Sequence, residues 1–183
     1  MTALALYDDR PPHAPHGTII DRDAIAVALA PAGVRLEQWD ACAILPSDAD
    51  DAAILSAYGA DVARLKAAGG YQSCDVVRLT PHHPQRVEMR AKFLAEHVHD
   101  DDEVRFFVEG SGLFYIRANG AVMALECTAG DLIVLPAGTH HWFDTGAEPH
   151  FTAIRLFTTP DGWVARFTGD EIAKAIPLYD GAL

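Results

Sequence analysis

The second half of the chain is a series of short apolar segments separated by turn sequences. One turn contains Asn119-Gly120, a strong hairpin signal because a type I′ turn needs positive φ at both central residues. Strands so short and closely spaced are typical of an antiparallel barrel or sandwich, because parallel βαβ units need long crossovers. The sequence therefore predicts a mainly β fold, with strands over residues 93–98, 104–109, 112–117, 121–127, 132–135, 141–144 and 152–157.

The first half of the chain has helical patterns as well as strands. Asp21 and Asp23 can cap a helix over residues 24–30, and Pro31 and Gly33 end it. Apolar residues recur at helical spacing within residues 52–70, after an acidic run at 48–51 that offers further caps. We also predict strands over 34–39 and 74–79, an irregular start over residues 1–17, a polar loop around Pro81 and Pro84, and a short helix over 170–175.

Length and continuity indicate one domain. The 183 residues suffice for one substantial hydrophobic core and are few for two, and no linker divides them. We expect a single domain over residues 1–183. It would consist of a mixed α/β part (1–84) packed on the barrel, the barrel core (85–160) and a C-terminal segment (161–183).

Charge and composition exclude several classes of partner. The formal net charge of −12 argues against nucleic acid, which binds through basic clusters, and against anionic membrane surfaces. No apolar run approaches the length of a membrane span, and the N-terminus lacks the pattern of a signal peptide. Cys42, Cys74 and Cys127 are far apart with no CxxC pair, which fits reduced thiols. We therefore expect a cytoplasmic protein.

The segment EHVHDDDEVRFFVEG carries a candidate metal site. Residues i and i+2 of a strand share a face, so His97 and His99 can point at one ion. The acidic residues after His99 favour a turn that would bring Glu103 back to the same point. Two imidazoles and a carboxylate leave coordination positions open for a substrate on a first-row metal. A lone HxH in a strand is more often structural, so the site depends on further ligands.

A further ligand should come from another strand, at His140 or His141. Adjacent residues in a strand point to opposite faces, so at most one of the two can enter a barrel. The pattern of residues alone leaves this choice open.

The alternation of strand residues also suggests what surrounds the site. If Glu103 faces the metal, Arg105 and Phe107 face the same cavity. A buried guanidinium needs an anionic partner, which favours an anionic substrate or a neighbouring carboxylate. The alternative is an arginine at the barrel mouth paired with Glu96 or an aspartate. Phe143 shares a face with His141 and is a wall of the cavity or ordinary core, and Trp163 is a further candidate wall.

Two segments resemble the motifs of the cupin superfamily. His97, His99, Glu103 and Gly110 match the first motif, with Ala91 where its leading glycine is expected. The second motif is matched by Gly130, Pro136, Gly138 and His141, and Thr145 replaces its final asparagine. These departures concern turns and not ligands. The resemblance implies a cupin-type double-stranded β-helix (jelly-roll barrel) with additional N-terminal helices and strands, and it selects His141 over His140.

Within the cupins, the chain resembles the acireductone dioxygenase family. The segments EHVHDDDEVRFFVEGSGLFYIR and AGDLIVLPAGTHHWFD carry the resemblance, and GVRLEQW and YQSCDVVRLTP extend it to nearly the whole chain. It implies one Fe²⁺ or Ni²⁺ ion per chain, held by the ligands His97, His99, Glu103 and His141.

The resemblance also implies an activity and three further roles. The substrate would be 1,2-dihydroxy-5-(methylthio)pent-1-en-3-one of methionine salvage, cleaved with O₂. The Fe²⁺ form would give 4-methylthio-2-oxobutanoate and formate, and the Ni²⁺ form 3-(methylthio)propanoate, formate and carbon monoxide. Arg105 matches a residue that helps to form the substrate dianion. Glu96 matches a position linked to metal incorporation, and Asp102 one linked to relaying conformational change.

Two other classes of protein compete with this interpretation. Another metal-dependent cupin dioxygenase or isomerase could share the barrel, because a fold does not fix a reaction. A non-catalytic cupin that binds a small molecule could also share it, although such proteins often lack some ligands and here all four positions are filled. One compact acidic domain gives no reason to expect more than a monomer, with a small molecule and O₂ as its partners.

Overall fold

The protein is a mainly β structure, as predicted, in a computed structural model that describes residues 1–41, 43, 45–46 and 49–183. Cys42, predicted to be a reduced thiol, and Asp48, part of the acidic run predicted to offer helix caps, lie outside the described residues. The helices are α1 (Arg22–Leu29), α2 (Asp51–Ala57), α3 (Gly59–Gly69) and α4 (Arg86–Phe93), with 3-10 turns at Ala30–Ala32 and Ile172–Lys174. The strands are β1 (Ala3–Asp8), β2 (Pro15–Ile19), β3 (Arg35–Gln38), β4 (Ser73–Leu79), β5 (His97–Val98), β6 (Glu103–Ala118), β7 (Ala121–Thr128), β8 (Asp131–Leu135), β9 (His140–Asp144), β10 (Phe151–Phe157) and β11 (Arg166–Phe167).

Strand β6 organises the fold because its two halves pair with different strands. The first half lies between β8 and β10, and the second lies between β7 and β9, with every pair antiparallel. One layer of the sheet therefore runs β4-β10-β6-β8-β3, and the other runs β11-β5-β9-β6-β7-β1-β2. The change of partners occurs at Gly110, which has a φ of +71°.

The two layers enclose an aromatic core. The ring centroid of Phe107 in one layer lies 6.4 Å from that of Phe114 in the other. The ring centroids of Phe143 and Phe151 lie 5.4 Å apart across the same gap. Helices α2 and α3 cover the outer face of the β4-β10-β6-β8-β3 layer, where Tyr58 packs edge-on against Phe106 at 5.1 Å. Burial of each such side chain contributes about 1.5–3 kcal/mol, so the helices stabilise the layer that carries part of the cavity described below.

Local signals correctly predicted several elements. The Asp21 side chain caps α1 by accepting a hydrogen bond from the Ala24 amide at 2.9 Å, and Asp50 caps α2 through the Ala53 amide at 2.8 Å. Asn119 and Gly120 have φ values of 54° and 81° and form the hairpin between β6 and β7. Capping and positive φ depend only on neighbouring residues, which explains why the sequence reveals them.

The prediction of an irregular start was wrong. Strands β1 and β2 form an antiparallel hairpin, and β1 also pairs with β7, which buries Ala3, Leu4 and Ala5. Pro15 opens β2, an edge strand, where a missing amide hydrogen is tolerated. The partner of β1 is more than a hundred residues away, so no local pattern indicates this pairing.

The structure corrects four further boundaries. Helix α4 covers Arg86–Phe93, and only His97–Val98 of the predicted strand 93–98 is extended. The predicted strands 104–109 and 112–117 are one strand, β6, because Gly110 lets the chain bend without ending the ladder. The helix predicted within residues 52–70 is interrupted at Tyr58, and the one over 170–175 is only a 3-10 turn. No helix among the described residues is long and apolar enough to cross a membrane.

Candidate metal centre

A cavity of about 180 Å³ lies among β5, β6, β9 and β10. We call it the cavity from here on. Its polar walls are formed by three histidines, an acid, two arginines and a lysine, and its other walls are largely aromatic. The polar residues are Lys92, His97, His99, Glu103, Arg105, His141 and Arg155, and the apolar ones include Phe93, Phe114, Phe143, Trp163, Val164 and Phe167.

Three histidines converge in the cavity. The candidate ligand atoms of His97, His99 and His141 all lie within 4.8 Å of one another, and all three residues are buried. His97 of β5 is paired directly with His141 of β9, with ring centroids 4.4 Å apart. His99 lies just beyond the end of β5, so the two histidines of the HxH do not share one strand, although both reach the same point.

Backbone contacts fix which nitrogen of each ring is free. Nδ1 of His97 lies 2.7 Å from the Ala95 carbonyl oxygen, and Nδ1 of His141 lies 2.8 Å from that of Thr139. Nδ1 of His99 lies 3.0 Å from the carbonyl oxygen of Val164. A carbonyl oxygen can only accept, so each Nδ1 carries the proton and each Nε2 keeps its lone pair.

Burial keeps two of these imidazoles neutral. It lowers the pKa of His97, and it lowers the pKa of His141 to about 3, with the neighbouring His97 acting in the same direction. A metal ion binds the neutral imidazole through an unprotonated nitrogen. The donors are therefore in the state that coordination requires, without the release of a proton.

Glu103 lies beside the three histidines. One of its carboxylate oxygens is 3.5 Å from Nε2 of His99, and the other accepts a hydrogen bond from Nη2 of Arg105 at 2.5 Å. Burial favours the neutral acid, but the charge of Arg105 outweighs it, with smaller contributions from His141 and His99, and the pKa of Glu103 is lowered to about 2. Glu103 is thus a carboxylate at neutral pH and can join the imidazoles as a ligand.

Arg105 faces the cavity, as its parity with Glu103 predicted. Its guanidinium lies over two rings, 4.9 Å from the centroid of Phe114 and 4.6 Å from that of Phe143. Its anionic partner is Glu103, and not Glu96 or an aspartate as the alternative supposed. Nε of Arg105 is buried and has no hydrogen-bond partner among the described residues. An unpaired buried donor is costly, so this atom is suited to an anionic ligand.

Comparison with known proteins shows the family. The model of the ARD/ARD' family matches residues 4–165. The chain is 56% identical to an acireductone dioxygenase of Parvibaculum lavamentivorans over 98% of both chains, and 48% identical to one of Pseudomonas aeruginosa over 98% of this chain and 99% of that one. This chain belongs to the ARD/ARD' family.

A solved structure supports both the fold and metal binding in the ARD/ARD' family. It is an acireductone dioxygenase from Bacillus anthracis with a cadmium ion in its active centre, 30% identical in sequence. The two structures superpose with a TM-score of 0.80 over 91% of this chain and 98% of that one. The predicted cupin fold is therefore confirmed.

Three residues singled out in the sequence lie outside the cavity. His140 points away from the three histidines, with a half-exposed side chain whose Nδ1 is 3.3 Å from Glu96. Glu96 is buried and accepts a hydrogen bond from the Thr168 hydroxyl at 2.6 Å. Asp102 accepts hydrogen bonds from the Tyr71 hydroxyl at 3.3 Å and from the Ala137 amide at 3.0 Å. Glu96 and Asp102 thus contact the segments around the cavity, and not the cavity itself.

Of the three aromatic residues predicted to face the cavity, two line it and one does not. Phe143 and Trp163 line the cavity. Phe107 does not, because it lies deeper in the barrel, where Phe114, Phe143 and Phe151 surround it at 6.2–6.4 Å. Phe107 is on the predicted face of β6, but it lies further along the strand, where side chains fill the core.

Several residues that line the cavity were not predicted from the sequence. Lys92 and Phe93 come from α4, which was not predicted, and Phe167 comes from β11. Arg155 lies within a predicted strand, but its position beside Arg105 depends on the register of β10 against β6. Only the pairing and register of these two strands could have indicated that Arg155 lies beside Arg105.

Proposed function

We propose that the protein is an acireductone dioxygenase of methionine salvage that cleaves 1,2-dihydroxy-5-(methylthio)pent-1-en-3-one with O₂. The observation that carries this proposal is the convergence of three free Nε2 atoms beside a buried arginine with an unpaired Nε. The 56% identity to an acireductone dioxygenase over nearly the full length of both chains supports the choice of substrate.

We expect His97, His99, Glu103 and His141 to hold one Fe²⁺ or Ni²⁺ ion per chain. Three neutral imidazoles and a carboxylate suit both ions, and the affinity order of divalent metals does not exclude nickel. When bound, such an ion supplies a Lewis acid and open positions for the substrate oxygens. We expect 4-methylthio-2-oxobutanoate and formate from the Fe²⁺ form, and 3-(methylthio)propanoate, formate and carbon monoxide from the Ni²⁺ form.

The side chains of the cavity would bind the substrate as an anion and keep water away. Arg105 offers a fixed positive charge, and its unpaired Nε can donate to an enediolate oxygen. The neighbouring rings of Phe114 and Phe143, 4.7 Å apart, both contact the guanidinium and restrain it, so little reorganisation is needed when charge develops. Trp163, which is half-exposed, and the neighbouring apolar residues line the cavity and would limit the access of water to a bound substrate, which strengthens the attraction between Arg105 and the anion.

Glu96 and Asp102 would act indirectly. Glu96 directly precedes His97, and its side chain accepts a hydrogen bond from Thr168 of the C-terminal segment, which supports a role in metal incorporation. Asp102, next to Glu103, joins the Tyr71 hydroxyl to the backbone before β9, which supports a role in relaying conformational change.

We also propose that the protein acts as a cytoplasmic monomer whose partners are this small molecule and O₂. The net charge of −12 argues against nucleic acid and anionic membranes. The free cysteines Cys74 and Cys127 fit a reducing compartment.

The test is anaerobic addition of the acireductone to metal-free protein reconstituted with Fe²⁺ or Ni²⁺, followed by O₂ and product analysis. We expect consumption that depends on metal, with carbon monoxide from the nickel form only. No consumption at full metal occupancy would contradict the proposal. It would leave another cupin enzyme or a non-catalytic binding cupin as the interpretation, to be tested with other enediols and chelating acids.

A further inference from the structure

Two arginines lie directly opposite each other on neighbouring strands of the cavity wall. Arg155 of β10 pairs in register with Arg105 of β6, and both side chains line the cavity. Directly opposed residues of an antiparallel pair share a face, with Cβ atoms about 4.5–5.5 Å apart, and like charges there are destabilising. Such a pair needs anionic partners that offset the repulsion.

A carboxylate on the next strand holds the second arginine. Nε and Nη2 of Arg155 donate to the two carboxylate oxygens of Asp75 at 2.8 and 2.6 Å, which is a bidentate fork. Asp75 lies on β4 directly across from Arg155, and it does not line the cavity. The guanidinium also lies 5.3 Å from the centroid of the Phe157 ring. These contacts restrain Arg155 from the side away from Arg105.

The fork leaves part of Arg155 available to a ligand. Among the described residues, the only acceptor of its side chain is Asp75, so the two Nη1 hydrogens have no protein acceptor. Arg155 is therefore attached on one side and able to donate on the other. The histidines and Glu103 lie in the same cavity, so a ligand there can meet both arginines.

The charges of the wall indicate the class of ligand. Arg105 is balanced by Glu103 and Arg155 by Asp75. Lys92 adds another positive charge at the wall, and with a divalent ion on the histidines and Glu103 the two positive charges of that ion also remain unbalanced. A ligand with two negatively charged oxygens would neutralise them.

We propose that Arg155 is a second substrate-binding cation of the cavity, and that Asp75 is the positioning residue that holds its guanidinium in place. This rests on the proposed function for the identity of the substrate, which would be bound as the enediolate dianion. Arg105 and Arg155 would then bind the anion from adjacent strands. The N-terminal part of the chain would contribute to the site through Asp75, although it supplies none of the proposed metal ligands.

The test uses the full-length, nickel-loaded protein and compares Arg155→Gln, Arg155→Lys, Asp75→Asn and the Asp75→Asn/Arg155→Gln double variant. Calorimetry gives the Kd for squarate, a stable dianion, and steady-state kinetics with acireductone give KM and kcat. Metal content per chain and Tm are measured in parallel. The controls are Arg64→Gln and Asp61→Asn, an arginine–aspartate ion pair on α3 that is more exposed than Arg155–Asp75 and does not line the cavity.

We expect Arg155→Gln to raise the squarate Kd and the KM for acireductone about 10- to 30-fold, because one charged hydrogen bond is lost. The value of kcat should change less than about threefold. Asp75→Asn should raise both a few-fold, and Arg155→Lys should recover part of the loss. The double variant should bind no worse than Arg155→Gln, because Asp75 acts through Arg155. Metal content and Tm should stay at wild-type values, since both side chains reach solvent.

Three outcomes would overturn the proposal. They are an unchanged squarate Kd in Arg155→Gln, a loss of binding that only parallels a loss of metal or Tm, and no squarate binding by the wild-type protein. Additive effects of Asp75→Asn and Arg155→Gln would overturn the positioning role of Asp75. A wild-type protein that binds squarate through Arg155 but consumes no acireductone would contradict the proposed function and leave the anion site standing.

Discussion

Glu103 and Arg105 lie on the same face of β6, and Nη2 of the arginine donates to a carboxylate oxygen of the glutamate at 2.5 Å. The other carboxylate oxygen is 3.5 Å from Nε2 of His99. Glu103 thus lies between the proposed metal ligands and the buried cation. Substitutions on the two sides of this contact should therefore separate metal retention from turnover.

We expect Arg105→Ala to keep its metal and to lose about 100-fold or more in kcat/KM. The substitution removes fixed positive charge where the enediolate forms, and it removes no coordinating atom. Metal analysis and steady-state kinetics on the same preparation check both parts. Arg35→Ala, at an exposed arginine of β3, is the control and should behave as the wild type. Unchanged kinetics in Arg105→Ala would rule out the role of the arginine.

Substitution of the adjacent histidines of β9 should give opposite results. His141→Ala, like His97→Ala, removes one of three converging Nε2 donors and should lower metal content at least about tenfold, with turnover falling in step. His140→Ala should leave both largely intact, because His140 points away from the other histidines. Metal content after dialysis is the measurement. Loss of metal from His140→Ala would show that the wrong histidine had been chosen.

The features that the sequence predicts best are those that depend on parity and short spacing. Alternation along one strand is sufficient to place Arg105 beside Glu103. For His140 and His141, alternation predicts only that one of them enters the barrel, and the family spacing is needed to choose. The same parity misleads at Phe107, because it specifies a face of the strand and not the depth of the residue in the barrel.

The features that the sequence does not reveal depend on pairing between distant segments. Arg155 lines the cavity because β10 lies beside β6 in one particular register, and Asp75 reaches it because β4 pairs with β10. The β1 strand forms for the same reason, by pairing with β7. Helix α4 was missed because its segment is strongly charged and contains no buried residue that would mark a helical face.

The metal-free protein should lose stability as the pH falls below about 6.5. The folded-state pKa values of His97 and His141 lie below the ordinary value of 6.5, so in this range the unfolded chain binds more protons than the folded one. The stability contributed by each neutral imidazole is complete above pH 6.5 and declines toward the folded pKa, by at most about 1.4 kcal/mol per pH unit for each histidine.

Urea unfolding of the metal-free protein at pH 7.5, 6.5 and 5.5 measures this slope. His141→Gln, which cannot take up the proton, should be less sensitive to pH than the wild type. Stability that is constant or rises on acidification would contradict the assignment of buried neutral histidines.

Gly110→Ala should destabilise the protein by more than about 3 kcal/mol, whereas Gly120→Ala should cost about 1–2 kcal/mol. Both glycines have positive φ, so both substitutions strain the backbone. At Gly110, a Cβ would also meet the carbonyl oxygen of His150 at 1.8 Å, and backbone atoms cannot yield as a side chain can. At Gly120, a Cβ has no heavy atom within 4 Å.

The difference between these two glycine substitutions tests whether β6 must bend at Gly110 for the two layers to close. Urea midpoints of the two variants give the comparison, and metal content shows whether the cavity still forms. Equal midpoints would mean that the β6–β10 contact relaxes easily, so the bend would not constrain the barrel. A large difference, together with weakened metal retention in Gly110→Ala, would show that the site depends on the close approach of these strands.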